Sequence, residues 1–304
     1  MSLPKIIVIL GPTASGKTDL SLKLAEKFNG EIVSADSRQV YKKMNIGTAK
    51  PKADFKSGAY MVEGVPHYMM DIIDPDDDFS LAVYKTMALK SIKDILRKKK
   101  LPIVAGGTGL YIRMLVDNLD IPPVESNKQL RKQLEKKKLL ELAAMLVKMD
   151  PATAKKIDLQ NPRRVLRALE VFISSGQSFF KQSAKSKPLF EFLQIGLNLS
   201  SEELGSKINA RADKQIEDGL VDETKKLAKK YSWDLPSMSG IGYRQIGFYL
   251  RGEATLEEAV DILKRDTRRY AKRQMTWFKR DKRIVWIKNT NLALAEKLVK
   301  KFLA

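Results

Sequence analysis

Residues 5–18 read KIIVILGPTASGKT, and this stretch largely sets the architecture that we predict for the chain. Its first part, Lys5–Leu10, is a short apolar run rich in β-branched residues, which is typical of a buried strand. Its second part, residues 11–18, has the pattern G-x-x-x-x-G-K-[S/T], in which glycines let backbone N–H groups fold around a phosphate. The helical pattern that follows predicts a helix N-terminus, which attracts anions. The stretch therefore predicts a site for a di- or triphosphate.

Every residue of this phosphate loop is a candidate for phosphate binding: Gly11, Pro12, Thr13, Ala14, Ser15, Gly16, Lys17 and Thr18. Lys17 can pair with phosphate oxygens, and the Thr18 hydroxyl can ligate Mg²⁺, the cofactor that we expect. The motif does not identify a reaction, because kinases, ATPases and other transferases all use it.

Two further β-branched runs, residues 31–35 (EIVSA) and 101–105 (LPIVA), end in small or polar residues, and helix-like stretches separate the runs. Such alternation is typical of a parallel sheet. Residues 192–197 and 283–288 predict later strands. We therefore predict an α/β fold with a P-loop NTPase-like core, in which helices flank a parallel sheet.

The pattern becomes helical between residues 116 and 189. Ser126 and Gln129 predict a capping box, leucines then recur at helical spacing, and Gly176 predicts the end of a helix over 163–175. We interpret 116–189 as an all-helical insertion domain. The core would then comprise residues 1–115 and 190–304, the second part being mostly helical.

The composition limits the partners and the location. With 56 Lys and Arg against 36 Asp and Glu, the formal charge is +20, which favours nucleic acid as a partner or reflects a heavily solvated basic surface. The absence of cysteine excludes disulfides and cysteine nucleophiles. With no export signal and no apolar run long enough for a membrane span, we expect a cytoplasmic protein without membrane association.

The ends of the second and third strands carry polar residues that a parallel sheet brings to the crevice of the phosphate loop. Asp36 follows the second strand and could bind Mg²⁺ through water or accept a proton, although this segment taken alone favours a helix cap or surface turn. GGTGLY (106–111) follows the third strand and adds the Thr108 hydroxyl. Its glycines would let the backbone approach a ligand closely.

Five motifs occur in the order seen in one family: GPTASGKT (11–18), SADSRQVY (34–41), GGTGLY (106–111), QNPRR (160–164) and GIGYRQ (240–245). In these motifs, which span nearly the whole chain, the sequence resembles the tRNA dimethylallyltransferases of the IPP transferase family. The resemblance implies attack by N6 of the adenosine 3′ of the anticodon on C1 of dimethylallyl diphosphate, which releases pyrophosphate. It makes Asp36 the general base and gives Lys17, Thr18 and Thr108 the other catalytic roles.

The resemblance also implies two binding surfaces. The expected partners are dimethylallyl diphosphate and the anticodon stem-loop of tRNA, with the protein acting as a monomer. Arg211, in a basic and polar segment that predicts a helix over 209–223, would help to bind the diphosphate or is a solvated charge on that helix. The implied tRNA-binding residues are Asp36, Ser37, Arg38, Gln39, Thr108, Arg131, Gln160, Asn161, Pro162, Arg163, Arg164, Gly240, Tyr243, Arg244 and Gln245.

A basic segment near the C-terminus adds a further candidate surface. Thr255 and Glu258 predict a capping box that opens a long helix, and residues 264–282 mix nine Lys and Arg with Tyr270, Trp277 and Phe278. The aromatic side chains could stack on bases, or they could pack in the core while the cations meet tRNA or solvent.

Three other functions fit part of the sequence. A P-loop kinase of a small metabolite would use the same phosphate loop. An RNA-binding protein or RNA-stimulated ATPase would use the basic surface without group transfer. An adenylate prenyltransferase would use the same chemistry on a free nucleotide, but QNPRR and the basic insertion favour a macromolecular acceptor.

Overall fold

A computed structural model describes residues 2–56, 59–122, 124, 127–182, 186–288 and 291–304. The chain forms two compact units. The first comprises Met1–Val116 and Leu189–Ala304, and the second comprises Asp117–Pro188. The second unit thus interrupts the sequence of the first.

A single sheet forms the centre of the first unit and, in the described residues, has eight strands. They are β1 (Lys5–Leu10), β2 (Gly30–Ala35), β3 (Asp54–Lys56), β4 (Ala59–Val62), β5 (Val65–Tyr68), β6 (Leu101–Gly106), β7 (Glu191–Asn198) and β8 (Ile284–Lys288). The order across the sheet is β3-β4-β5-β2-β6-β1-β7-β8. In this order, each pair of neighbouring strands from β5 through β2, β6, β1 and β7 to β8 is parallel, whereas β4 is antiparallel to β3 and β5. The predicted α/β class with a parallel sheet is confirmed, with an antiparallel edge that the sequence did not predict.

The helices of the first unit are α1 (Lys17–Lys27), α2 (Leu81–Arg97), α3 (Gly109–Val116), α9 (Ser201–Glu217), α10 (Leu220–Ala228), α11 (Tyr243–Leu250), α12 (Leu256–Phe278) and α13 (Leu292–Leu303). Those of the second unit are α4 (Lys128–Leu134), α5 (Leu139–Met149), α6 (Pro151–Ala154), α7 (Pro162–Ser175) and α8 (Phe179–Gln182). Among the described helices, none has the length and apolar character to cross a membrane.

Strand β1 is buried on both faces, because its side chains alternate between two apolar clusters. Ile6, Val8 and Leu10 pack with α2 and α3 on one face, whereas Ile7 and Ile9 pack with α1 and α13 on the other. This double burial fixes the position of the loop that follows Leu10. The C-terminal ends of β1, β2 and β6 lie side by side and carry the loops of the site.

The second unit has its own core of leucine, valine and alanine side chains from α4, α5, α6 and α7. Helix α4 is capped by Asn127, whose side chain accepts a hydrogen bond from the Leu130 N–H. Ser126, which we expected to form the capping box, lies outside the described residues. Gly176 ends α7 with a left-handed φ of 68°, as predicted.

Two predicted helices have different bounds in the structure. The expected helix over 209–223 is two helices, because Gly219, with a φ of 97°, separates α9 from α10. The C-terminal helix begins after the capping box of Thr255 and Glu258, as predicted, but ends at Phe278. Several of the predicted cations of residues 264–282 therefore lie beyond its end.

Candidate active site

The phosphate loop turns sharply between β1 and α1. Gly11, Ala14 and Gly16 have positive φ values of 152°, 61° and 87°. A side chain on Gly11 would also lie 3.1 Å from the Leu197 carbonyl oxygen of the neighbouring strand. Glycine relieves both constraints, so the loop can close and α1 can begin at Lys17. The structure thus has the strand, loop and helix that the motif predicted.

The environment of Lys17 is unusual for a lysine. Its ammonium donates a hydrogen bond of 2.6 Å to the Pro12 carbonyl oxygen inside the loop. Burial lowers its pKa to about 8, the charge of Asp36 raises it in part, and the charge of Arg211 lowers it further. Lys17 therefore lies close enough to both Asp36 and Arg211 to feel their charges.

Two hydroxyl groups complete the loop. The Ser15 Oγ is fully buried and has no hydrogen-bond partner among the described residues, so it suits a phosphate oxygen. Thr18 lies in the first turn of α1 and is exposed. The described residues contain no group of three His, Asp or Glu that could hold a metal by itself. Mg²⁺ commonly takes one or two protein ligands and completes its shell with phosphate oxygens and water, so its predicted binding by Thr18 stays a prediction.

Asp36 and Thr108 hold two adjacent strand ends together. The Asp36 Oδ1 accepts the N–H groups of Arg38 at 2.8 Å and Gln39 at 3.4 Å, which fixes the carboxylate in a tight turn. The Thr108 Oγ1 accepts the Ser37 N–H at 3.0 Å, and the Thr108 N–H donates to the Ala35 carbonyl oxygen at 3.0 Å. The structure therefore brings together Asp36, Ser37 and Thr108, as expected of a shared site.

Three tyrosines lie near enough to Asp36 to be affected by its charge. The sequence analysis considered Tyr270 for base stacking and assigned no role to Tyr84 or Tyr111. Burial raises the pKa of Tyr270 to about 12, and the charge of Asp36 contributes to this increase. Burial and the Asp36 charge likewise raise the pKa of Tyr111 and of Tyr84, whose rings stack with centroids 3.7 Å apart. The Asp36 charge therefore acts on three tyrosines, of which Tyr84 and Tyr111 are buried.

The side chains of Arg38 and Gln39 donate hydrogen bonds to neighbouring loops. Arg38 donates to the Pro236 carbonyl oxygen, and Gln39 Nε2 donates to the carbonyl oxygens of Thr48 at 3.2 Å and Ala49 at 3.3 Å. Both side chains are partly exposed. They brace the turn that carries Asp36, and their predicted tRNA contacts stay predictions.

Arg211, on α9, lies near the phosphate loop. Solvent reaches its side chain, yet protein atoms surround it closely enough that burial lowers its pKa, while the charge of Asp19 raises it. Its charge also acts on Lys17. An exposed cation beside the loop has the position that diphosphate binding would require, so the prediction for Arg211 is consistent with the structure.

The GIGYRQ motif is largely interior. Tyr243 is buried and donates 2.7 Å to the Glu223 carboxylate, and Gln245 is buried and donates 2.8 Å to the Asp266 carboxylate. The prediction that these two side chains contact tRNA directly was wrong, because both are buried. Gly240 is buried as well, whereas Arg244 is exposed and paired with Asp266 at 2.7 Å.

In the second unit, Arg131 has a structural role. Its Nε and Nη2 donate to the two oxygens of Glu170 at 2.9 and 2.8 Å, and Arg167 donates to the same carboxylate at 2.6 Å. Glu170 is fully buried, and its arginine and backbone donors outweigh burial and lower its pKa. Because the Arg131 guanidinium is hydrogen-bonded to this buried carboxylate, the structure does not support its predicted role in tRNA binding.

The QNPRR motif opens helix α7. The Asn161 side chain caps the helix by accepting the Arg164 N–H at 3.3 Å, and Pro162 occupies its first turn. Gln160, Arg163 and Arg164 are exposed, and in the described part of the chain no ion pair engages either arginine. Their predicted contact with RNA phosphates remains a prediction that this exposure permits.

The glycines of GGTGLY have a different role from the one predicted. A Cβ on Gly107 would lie 2.4 Å from the Gln274 Nε2, and one on Gly109 would lie 2.3 Å from the Trp277 Cδ1. These glycines make room for side chains of α12 instead of a ligand. Gln274 is a residue of the site that sequence reasoning missed.

Comparisons with known proteins identify the family. The IPP transferase family model matches residues 39–281. A tRNA dimethylallyltransferase of Acetivibrio thermocellus is 47% identical over 98% of this chain and 96% of its own length. Another, of Pelotomaculum thermopropionicum, is 45% identical over 96% of this chain and 93% of its own length.

Solved structures agree with the sequence matches. A tRNA isopentenylpyrophosphate transferase of Bacillus halodurans has a TM-score of 0.71, with 38% identity over 98% of this chain and 94% of that one. A eukaryotic dimethylallyltransferase acting on tRNA has a TM-score of 0.80, with 30% identity over 98% of this chain and 77% of that one. With its phosphate loop and Asp36 turn in place, the chain belongs to the IPP transferase family of tRNA dimethylallyltransferases.

Proposed function

We propose that the protein transfers the dimethylallyl group of dimethylallyl diphosphate to N6 of the adenosine 3′ of the anticodon in tRNA. The observation that carries this proposal is the register of the sheet, in which Leu10 of β1 and Ala35 of β2 both pair with Gly106 of β6. The phosphate loop and Asp36 therefore begin at the same edge of the sheet, which supports a phosphate-binding cation and a proton-accepting group in one crevice. A transferase with a diphosphate leaving group and an N–H nucleophile needs both.

The phosphate loop would bind the diphosphate through its backbone N–H groups, the Ser15 hydroxyl, Lys17 and Arg211. As the C1–O bond breaks, negative charge grows on the departing pyrophosphate, and groups fixed in advance around it stabilise that charge. Mg²⁺, held by the Thr18 hydroxyl and the diphosphate, would supply further positive charge there. The aromatic side chains around Asp36 would exclude water from the five-carbon group.

Asp36 would act as the general base. The N6 lone pair forms the bond to C1, the C1–O electron pair leaves with pyrophosphate, and an N6 proton passes to the Asp36 carboxylate. Hydrogen bonds from Arg38 and Gln39 hold Oδ1 in place. Thr108, bonded to Ser37, keeps the turn against the end of β6.

The acceptor adenine must leave its stack before N6 can reach the donor. The exposed arginines at the start of α7 and the cations of α12 would bind the RNA backbone, and the surplus of positive charge would speed the encounter. We propose that the protein does this as a monomer in the cytoplasm.

The test is mass spectrometry of unmodified tRNA after incubation with the protein, dimethylallyl diphosphate and Mg²⁺. We expect one added dimethylallyl group, and its absence would refute the proposal. Asp36→Ala should keep tRNA affinity and lose most of the transfer rate, by about 10²- to 10⁴-fold for a general base. Asp54→Asn is the matched control and should transfer normally, because Asp54 is exposed and lies on the edge strand β3. Transfer of label from ATP to a small molecule would instead support a kinase.

A further inference from the structure

One face of α12 contacts the loops that follow β1 and β6. Tyr270, Gln274 and Trp277 are spaced by four and three residues, so they lie on the same side of the helix. The Tyr270 hydroxyl lies within hydrogen-bonding reach of Thr108, and the Trp277 ring packs against Gly109. Gln274 lies between them and has the most direct connection to the phosphate loop.

The Gln274 amide bridges two strand ends. Its Oε1 accepts the Thr13 N–H at 2.9 Å, and its Nε2 donates to the Gly107 carbonyl oxygen at 2.8 Å. Thr13 belongs to the loop after β1, and Gly107 belongs to the loop after β6. One side chain therefore fixes the spacing between the loop that would bind diphosphate and the loop that carries Thr108.

The packing around this amide leaves it little freedom. Gln274 is 7% exposed, and a Cβ on Gly107 would reach within 2.4 Å of its Nε2. A buried amide that donates and accepts in this way is held in one orientation. Ala271, one turn before, packs with Ala14 of the phosphate loop and Ile208 of α9 and holds the helix in place.

We propose that Gln274 is a positioning residue for the transfer, a role that deepens the proposed function and rests on it for the identity of the donor. The amide sets the spacing of the diphosphate from the Asp36 and Thr108 side of the crevice, and hence the alignment of C1 with the incoming N6. Because Gln274 accepts the Thr13 N–H, the diphosphate would bind the N–H groups that follow Thr13 in the loop. Misplacement of reacting groups by about 1 Å lowers rates by about 10²-fold.

The test compares Gln274→Met with Gln194→Met in the full chain. Methionine has a similar length and lacks both hydrogen-bonding groups of the amide. Gln194 is also buried, and its Nε2 donates to Asp281 at 3.3 Å from within β7, outside the loops of the site. The readouts are the affinity for inorganic pyrophosphate by calorimetry, tRNA affinity, the single-turnover transfer rate and the melting temperature.

We expect Gln274→Met to lower both the pyrophosphate affinity and the transfer rate. The two losses multiplied together should be on the order of 10- to 100-fold. Its tRNA affinity should stay within about twofold, and its melting temperature should fall no further than that of Gln194→Met. Equal pyrophosphate affinity and transfer rates in the two variants would overturn the proposal. So would a parallel loss of tRNA affinity and thermal stability, because that would make Gln274 merely structural.

Gly107→Ala provides a second route if Gln274→Met does not fold. Its Cβ would push the Gln274 amide away without changing the amide itself. Gly107→Ala and Gln274→Ala should each reduce pyrophosphate affinity. The double variant should bind pyrophosphate as tightly as the single variant with the lower affinity. Additive losses would overturn the proposal. Because pyrophosphate binding needs no acceptor, the test remains informative whether or not tRNA is prenylated.

Discussion

Lys17 should make diphosphate binding sensitive to pH in a range where ordinary lysines do not titrate. Burial is the main cause that lowers its pKa to about 8, and Arg211 contributes. If only the charged lysine binds dimethylallyl diphosphate, the affinity follows the fraction of protein that carries this charge. With a pKa of about 8, this fraction falls about tenfold between pH 7 and pH 9, equivalent to about 1.4 kcal/mol of binding free energy.

The measurement is the affinity for dimethylallyl diphosphate without tRNA, by calorimetry from pH 6.5 to pH 9.5. Two buffers with different ionisation enthalpies would detect the proton that Lys17 takes up on binding above pH 8. Lys17→Arg is the matched control, since a guanidinium stays charged throughout this range and should give a flat profile. A flat wild-type profile, or an equal decline in Lys17→Arg, would refute the reasoning.

Asp36 supplies a second arm of the same experiment. Its charge raises the pKa of Lys17, so Asp36→Asn should move the decline in affinity to lower pH.

The stability of the unliganded protein should change with pH in the opposite direction from its affinity for the diphosphate. The unfolded lysine, with a pKa near 10.5, binds more protons than the folded one between about pH 8 and pH 10.5. The contribution of Lys17 to stability therefore rises with pH in that window and is lost as pH falls through about 8.

Three further outcomes are expected. Glu170→Ala should lower the free energy of unfolding in urea by about 1–3 kcal/mol, because it removes the buried acceptor of two partly exposed arginines and of the Asn127 N–H; an unchanged free energy would contradict this. Tyr243→Phe removes the hydrogen bond to Glu223 and should cost about 1 kcal/mol of stability while tRNA affinity stays unchanged, since the side chain is buried. The double variant Arg163→Ala, Arg164→Ala should weaken tRNA binding and reduce the slope of log affinity against log salt by about 1.4 to 1.8, with diphosphate affinity as the internal control.

Features that depend on neighbouring residues could be predicted from the sequence. The phosphate loop is contiguous, so its motif predicted the strand, turn and helix that the structure has at Lys5–Leu10 and Lys17–Lys27. The turn at Asp36 follows from its position after a buried strand. In each case the residues that shape the backbone lie within a few positions of the residue concerned.

Features that depend on distant partners could not be predicted in the same way. Gln274 lies 261 residues from Thr13 and 167 from Gly107, and its own helix reads as a basic segment. The family resemblance implied that Arg131 contacts tRNA, and the sequence contains no sign of its partner Glu170, which lies 39 residues away along the chain. Gly107 did signal a close approach, but a glycine cannot indicate whether a ligand or another side chain approaches.

The charges of the site explain how one crevice can serve both halves of the proposed transfer. Before reaction, the Asp36 carboxylate raises the pKa of Lys17 and so favours the charge that the diphosphate needs. In the proposed transfer, the proton from N6 would neutralise Asp36 while negative charge grows on the departing pyrophosphate beside Lys17. Negative charge would therefore move from Asp36 towards the phosphate loop, and Lys17 would lose its attraction to Asp36 as the pyrophosphate gains negative charge. Because Gln274 sets the spacing between the two sides of the crevice, a change in its amide should affect both halves together.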